Sequence, residues 1–171
     1  MENVLPEAWP QFNTATIQGR KYLFKEEKYK DIIINTLMFL VEQKKVKVND
    51  FIIMDNHFHL IWQAIYGHTL LEVQTSFKKH TSKQFLTLLE NDGEIENYKL
   101  FSTDRKHNFW KRNSLGIELF TKKAFLQKLN YIHNNPVFAG VTKFAEDCKY
   151  SSASFYQLGV SPFDFIEDYR G

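Results

Sequence analysis

The chain has 171 residues, of which 43% are hydrophobic and 25% charged, with a net charge of +2. This excludes a disordered or fibrous chain and suits one domain with a sizeable core. A single cysteine, Cys148, excludes an intrachain disulfide and a multi-cysteine zinc cluster, and no apolar run reaches the roughly 18–20 residues that span a bilayer. The opening MENVLPEAWPQFN carries acids and prolines unlike a secretory signal, so a reducing, cytoplasmic setting is expected. Charge is uneven: residues 105–149 hold nine Lys and Arg against three Asp and Glu. Either a polyanionic partner or a solvated basic face accounts for that.

In chain order, QFNTATIQG alternates and carries β-branched residues, which predicts a strand over 11–19. Tyr29, Ile32, Ile33, Leu37 and Leu40 recur at helical spacing and predict a helix over about 25–43. KVKVNDFIIM and HFHLIWQAI read as strands over 45–54 and 57–65, joined into a hairpin by the turn residues Asp55 and Asn56. A second helix is expected over 70–89, with Val73, Phe77, Phe85 and Leu88 on one side, followed by the loop NDGEIEN. A short strand is expected near 117–120. Thr121 is a helix cap for TKKAFLQKLNYIHNNP, which Pro136 is expected to stop at Asn134 or Asn135. This order predicts an α+β fold, a ferredoxin-like antiparallel sheet with helices packed on one face. The expected domain is single, with a core over about 11–145 and a turn-rich C-terminal tail over 146–171.

The stretch DNHFHLIW departs from an ordinary strand. Alternation puts His57 and His59 side by side, with Ile61 on their face and Phe58, Leu60 and Trp62 on the other. Two neutral imidazoles at this spacing suit one divalent transition metal, although hydrogen-bonded core histidines or surface histidines share the pattern. Two ligands do not complete a site. In KLNYIHNNP, Tyr131 and Asn135 lie four apart at the edge of the stripe formed by Phe125, Leu129 and Ile132, with Gln127 and Lys128 nearby. An Asn oxygen can complete a hard-cation site and a tyrosine hydroxyl can act as a nucleophile; equally, a tyrosine there can be boundary packing.

Three segments, IIMDNHFHLIW, FWKR and KLNYIHNNPVFAGV, in this order and at this separation, resemble the tyrosine transposases of the HUH single-strand nuclease superfamily. The closer likeness is to the branch associated with repetitive extragenic palindromes (REP), over about residues 11–156. The resemblance implies a metal-dependent single-stranded DNA transposase or endonuclease that cleaves and rejoins DNA beside hairpins through a 5′-phosphotyrosine intermediate. It assigns His57 and His59 as metal ligands, Asn135 as the helix residue completing the site, Tyr131 as the catalytic tyrosine, and Mg²⁺ or Mn²⁺ as the ion. The implied partner is single-stranded DNA with hairpin or palindromic structure, and relatives work as monomers or homodimers. An alternative is a domesticated, non-mobile protein that binds or nicks palindromic repeats; others are a non-catalytic hairpin-binding module and a metal protein unrelated to nucleic acid. The chain departs from the family at Asp55, where a proline is usual, and at NSLGIEL after FWKR.

For DNA contacts, SFKKHTSK offers Lys78, Lys79, His80 and Lys83, with a solvated helix face as the alternative. Lys106, His107, Trp110, Lys111 and Arg112 combine cations with an aromatic, the mix that stacks bases and meets phosphates, unless Trp110 belongs to the core. Lys128 is a further DNA contact and a candidate aid to ionising Tyr131. Tyr150 and Tyr156 are expected to be structural.

Overall fold

The structure is a computed structural model that describes residues 8–98, 109–112 and 116–171. Lys106 and His107 lie outside the described residues. The elements are β1 (Gln11–Thr16), α1 (Glu27–Glu42), β2 (Val46–Ile53), β3 (His57–Ala64), α2 (Leu70–Asp92), β4 (Ile117–Glu118), α3 (Lys122–Phe138) and α4 (Ala153–Leu158), with four short 3₁₀ turns between them. The sheet order is β2-β3-β1-β4 with every neighbouring pair antiparallel. This is the ferredoxin-like arrangement expected from the order of elements.

Alternation along the strands decides which layer each residue joins. Phe58, Leu60, Trp62 and Ala64 enter the larger core with α1 and α2, built around Tyr29, Ile33, Leu37, Phe77 and Phe85. Ile61 faces the other way, joining Phe12, Ile52, Leu119 and the α3 stripe Phe125, Leu129 and Ile132 in a second cluster. Helices on one face therefore describes α1 and α2. The third helix packs on the opposite face, where its stripe covers apolar side chains that the first two helices leave open.

Residue-level chemistry sets the helix ends. Thr69 and Glu72 form a capping box at the start of α2, and Gly93, at φ 73°, ends it. The Thr121 hydroxyl accepts the Ala124 N–H at 3.1 Å and starts α3 as expected. The expected stop at Asn134 or Asn135 is not observed, because α3 runs through Pro136 to Phe138. The stop is instead made at Gly140, φ 70°, where the N–H groups of Gly140 and Val141 donate to the carbonyls of Val137 and Pro136. That pair of bonds is the Schellman closure. Pro136 removes a single N–H one turn earlier, a cost this packed helix end absorbs.

The expected boundary at 145 also moves. Tyr150, Phe165 and Ile166 are buried in the larger core, so residues beyond 145 complete the fold instead of trailing from it. They lie along the free edge of β2, where Ile53 N–H donates to Tyr150 C=O and Glu167 N–H to Val48 C=O. This covers an edge that would otherwise present unpaired backbone groups. Tyr150 and Tyr156 are structural, their hydroxyls donating to Asp31 and to the Asn49 carbonyl, each at 2.7 Å.

Trp110 is corrected from DNA contact to core residue. It is 4% exposed, packs among Phe24, Phe58, Phe77 and Phe85, and its indole N–H donates to the Thr81 hydroxyl at 3.0 Å. Such a ring is inaccessible to a base. Trp110→Ala should destabilise the protein by about 3–5 kcal/mol, as measured by urea unfolding; an unchanged midpoint would remove the ring from the core.

Candidate active site

The β2–β3 hairpin delivers the histidines. Met54 N–H donates to His57 C=O at 2.8 Å, closing the Asp55–Asn56 turn so that His57 opens β3. Alternation then sends His57 and His59 to the α3 side of the sheet, with ring centroids 4.9 Å apart. Asp55 turns away to an ion pair with Lys30.

Each imidazole is oriented through Nδ1. His57 Nδ1–H donates to Asn56 Oδ1 at 2.7 Å. His59 Nδ1 lies 2.8 Å from Oγ1 of Thr14, its register partner on β1. Nδ1–H donation leaves the lone pair on Nε2, as in His57, and His59 presents the same lone pair in the tautomer whose Nδ1–H donates to Thr14. His59 is 4% exposed and its Nε2 is buried without a hydrogen-bond partner. An unmet buried polar atom costs about 1–3 kcal/mol, a cost removed when a cation takes the lone pair. Burial lowers the His57 pKa, and burial together with the positive field of His57 and Lys128 pushes His59 down to about 3. Both rings are therefore neutral at pH 7, the form that ligates metals.

The third helix brings Tyr131 to the same place. Its ring lies 5.2 Å from His59 and 5.9 Å from Phe12, edge-on to both, and Phe12 stacks on His59 at 5.5 Å. Tyr131 is 44% exposed, so the phenol rests on the histidine cluster and still opens to solvent. Lys128 Nζ sits 4.6 Å from the Phe12 ring and 5.6 Å from the Tyr131 ring. Lys128, Tyr131 and Asn135 follow each other at steps of three and four on one side of α3, with Asn135 half-buried one turn beyond the tyrosine. Among the described residues no group of three or more His, Cys, Asp or Glu assembles, so the two histidines do not form a complete metal site from these residue types alone.

The proposed DNA contacts are spread more widely. Lys79, His80 and Lys83 are exposed on α2, and Lys78 is half-buried there, burial lowering its pKa. This helix covers the face of the sheet away from the histidines, so its cations lie apart from Tyr131. Lys111 and Arg112 are exposed beside the end of β1, where Lys111 N–H donates to Thr16 C=O at 2.8 Å. Trp110 bridges Ile17 and points into the larger core, while the Lys111 backbone sits beside Thr16, the register partner of His57. Of the proposed cations, Lys128 lies beside Tyr131, and Lys111 lies beside the β1 residue that pairs with His57.

Two orienting residues, Thr14 and Asn56, escaped the sequence reading. Asn56 adjoins His57 and was visible as a turn residue; the role of Thr14 depends on strand register. If His59 ligates Mn²⁺, Thr14→Val should weaken that binding by about 10–100-fold, the usual effect of removing a ligand's hydrogen-bond partner. Isothermal titration of the folded variant checks this; unchanged affinity removes Thr14 from the site.

No protein-family model matches the chain, and no curated protein matches its sequence. Solved structures do. A REP-associated tyrosine transposase, whose structure was determined with a REP hairpin bound, superposes with a TM-score of 0.65 at 19% identity, over 95% of this chain and 87% of that one. A protein of Deinococcus radiodurans R1 named as a candidate transposase superposes with a TM-score of 0.50 at 13% identity, over 78% of this chain and 97% of that one. The chain therefore has the α+β fold of a REP-associated tyrosine transposase, from near its beginning to near its end.

Proposed function

We propose that the protein is an HUH-type tyrosine transposase or endonuclease that cleaves and rejoins single-stranded DNA beside hairpins. The observation that supports this most is that His59, whose buried Nε2 has no hydrogen-bond partner, lies against the exposed ring of Tyr131, with ring centroids 5.2 Å apart. His57, His59 and Asn135 would hold Mg²⁺ or Mn²⁺, which when bound neutralises charge on the scissile phosphate. The Tyr131 hydroxyl attacks phosphorus: a bond from the phenol oxygen to phosphorus forms, the bond to the 3′ oxygen breaks, and a 3′-hydroxyl leaves. The resulting 5′-phosphotyrosine retains the bond energy, so a 3′-hydroxyl reverses the step with no nucleotide cofactor. A phenol has a pKa near 10 in water and needs help to ionise. Lys128, one turn before it, supplies a cation beside the ring and the incoming backbone. Lys111, exposed beside the end of β1, offers a second cation near the His57 end of the site. A hairpin substrate accords with the REP hairpin bound by the structurally similar transposase.

The test is incubation with Mn²⁺ and labelled single strands carrying hairpins from the gene's flanks and from genomic repeats, resolved on a denaturing gel. A covalent protein–DNA band that EDTA abolishes supports the reading. Hairpin binding without any band points to a non-catalytic binding module.

A further inference from the structure

His133, at the centre of YIHNNP, has no part in the chemistry above. It follows Tyr131 by two residues, which places it about 200° round the helix. Its side chain points into the sheet, 2% exposed, and Nε2–H donates to Asp50 Oδ1 at 2.9 Å. Asp50 is 0% exposed on β2. It reaches this position through a bulge: Val48 pairs with Trp62 and Asp50 with Ile61, leaving Asn49 extra. In an unbulged strand Asp50 would keep the parity of Val46 and Val48 and face α1 and α2. The bulge turns it to the α3 side, the re-aiming of a side chain that bulges commonly achieve.

The C-terminal residues close the same cluster. Ser152 O–H donates to Asp50 Oδ1, and its oxygen accepts the Phe51 N–H at 2.9 Å. Tyr156 donates to the carbonyl of the extra residue Asn49 and lays its ring 5.4 Å from that of His133. Although Ser, His and Asp meet here, serine and histidine both bind the same carboxylate oxygen and are sealed from solvent, so this is no hydrolytic triad. An apolar stripe alone leaves a helix free to roll or slide by small amounts. A directional buried bond on the opposite side from the tyrosine fixes its rotation.

We propose that Asp50, His133 and Ser152 are positioning residues for Tyr131, forming a buried polar clamp that sets the rotation of α3 and so holds the phenol against the histidine pair. The clamp makes the C-terminal segment part of the nucleophile's support. The proposal rests on the tyrosine reading above, and its test has an arm that does not need activity.

Asp50→Leu/His133→Phe replaces both partners with apolar groups, an exchange that folds can tolerate. Two quantities are read: single-turnover cleavage at saturating hairpin DNA and Mn²⁺, and the ¹⁹F resonance of 3-fluorotyrosine at position 131, assigned with Tyr131→Phe. The clamp predicts unchanged hairpin affinity, cleavage slower by about 100-fold, the scale of a small misplacement of a reacting group, and a shifted Tyr131 resonance. Asp50→Asn keeps an acceptor for His133 and should restore most of the rate. Ser152→Ala should shift the Tyr131 resonance in the same direction by less, which decides the matter if the double variant does not fold. An unmoved resonance with near-native cleavage overturns the clamp, as does cleavage and hairpin affinity falling together in step with the folded fraction. If the wild-type chain forms no adduct, the tyrosine reading fails while the resonance still decides whether the clamp positions α3.

Discussion

Tyr131→Phe should abolish the covalent protein–DNA adduct and lower strand cleavage by at least about 10⁴-fold, the scale of losing the nucleophile in a covalent enzyme. Hairpin affinity should be nearly unchanged. The ring's contacts with His59 and Phe12 need no hydroxyl, so the variant keeps its packing and loses the attacking atom alone. Tyr150 and Tyr156 are not replacements, since their hydroxyls are committed to Asp31 and to the Asn49 carbonyl. Burial raises the pKa of both. Adduct formation by the variant at wild-type rate would remove Tyr131 from the mechanism.

His59→Ala should abolish stoichiometric Mn²⁺ binding and reduce cleavage by about 10³-fold, on the scale of losing one preorganised electrostatic contact to the transition state. Titration calorimetry and single-turnover assays measure the two effects. The metal-free protein carries a related pH signature. The folded pKa of His59, about 3, lies below the ordinary value of 6.5, so between those limits the unfolded chain binds more protons. Its contribution is fully present above pH 6.5 and is lost as pH falls towards 3. Thermal unfolding of the metal-free wild type should therefore weaken across that window more steeply than that of His59→Ala. Equal slopes would show that His59 is not held neutral by the fold.

Period-two alternation in HFHLIW correctly separated the histidines from Phe58, Leu60 and Trp62, because burial on both faces leaves a strand no other register. The fold was legible for the same reason, from strands and helices in an order that few topologies satisfy. Other features depend on geometry that periodicity does not carry. The bulge at Asn49 reverses the facing of Asp50, and nothing in KVKVNDFIIM marks it. Trp110 beside Lys111 and Arg112 has the composition of a stacking site whether its ring meets a base or fills a core. The end of α3 was misjudged because Gly140, not Pro136, provides the left-handed residue that closes the helix. Residues 150–166 lack helical or strand periodicity, yet their aromatics seal the β2 edge. In the candidate site, His57, His59 and Tyr131 were legible as motifs and meet in space, whereas Thr14 became visible only through the β1–β3 register.

The most direct measurement is peptide mapping by mass spectrometry of the adduct formed with Mn²⁺ and a hairpin-bearing single strand. The DNA should be joined through its 5′ phosphate to Tyr131, with a free 3′-hydroxyl on the released strand. Attachment at another residue, a 3′-phosphate linkage, or cleavage to free ends with no adduct at any time would contradict the mechanism.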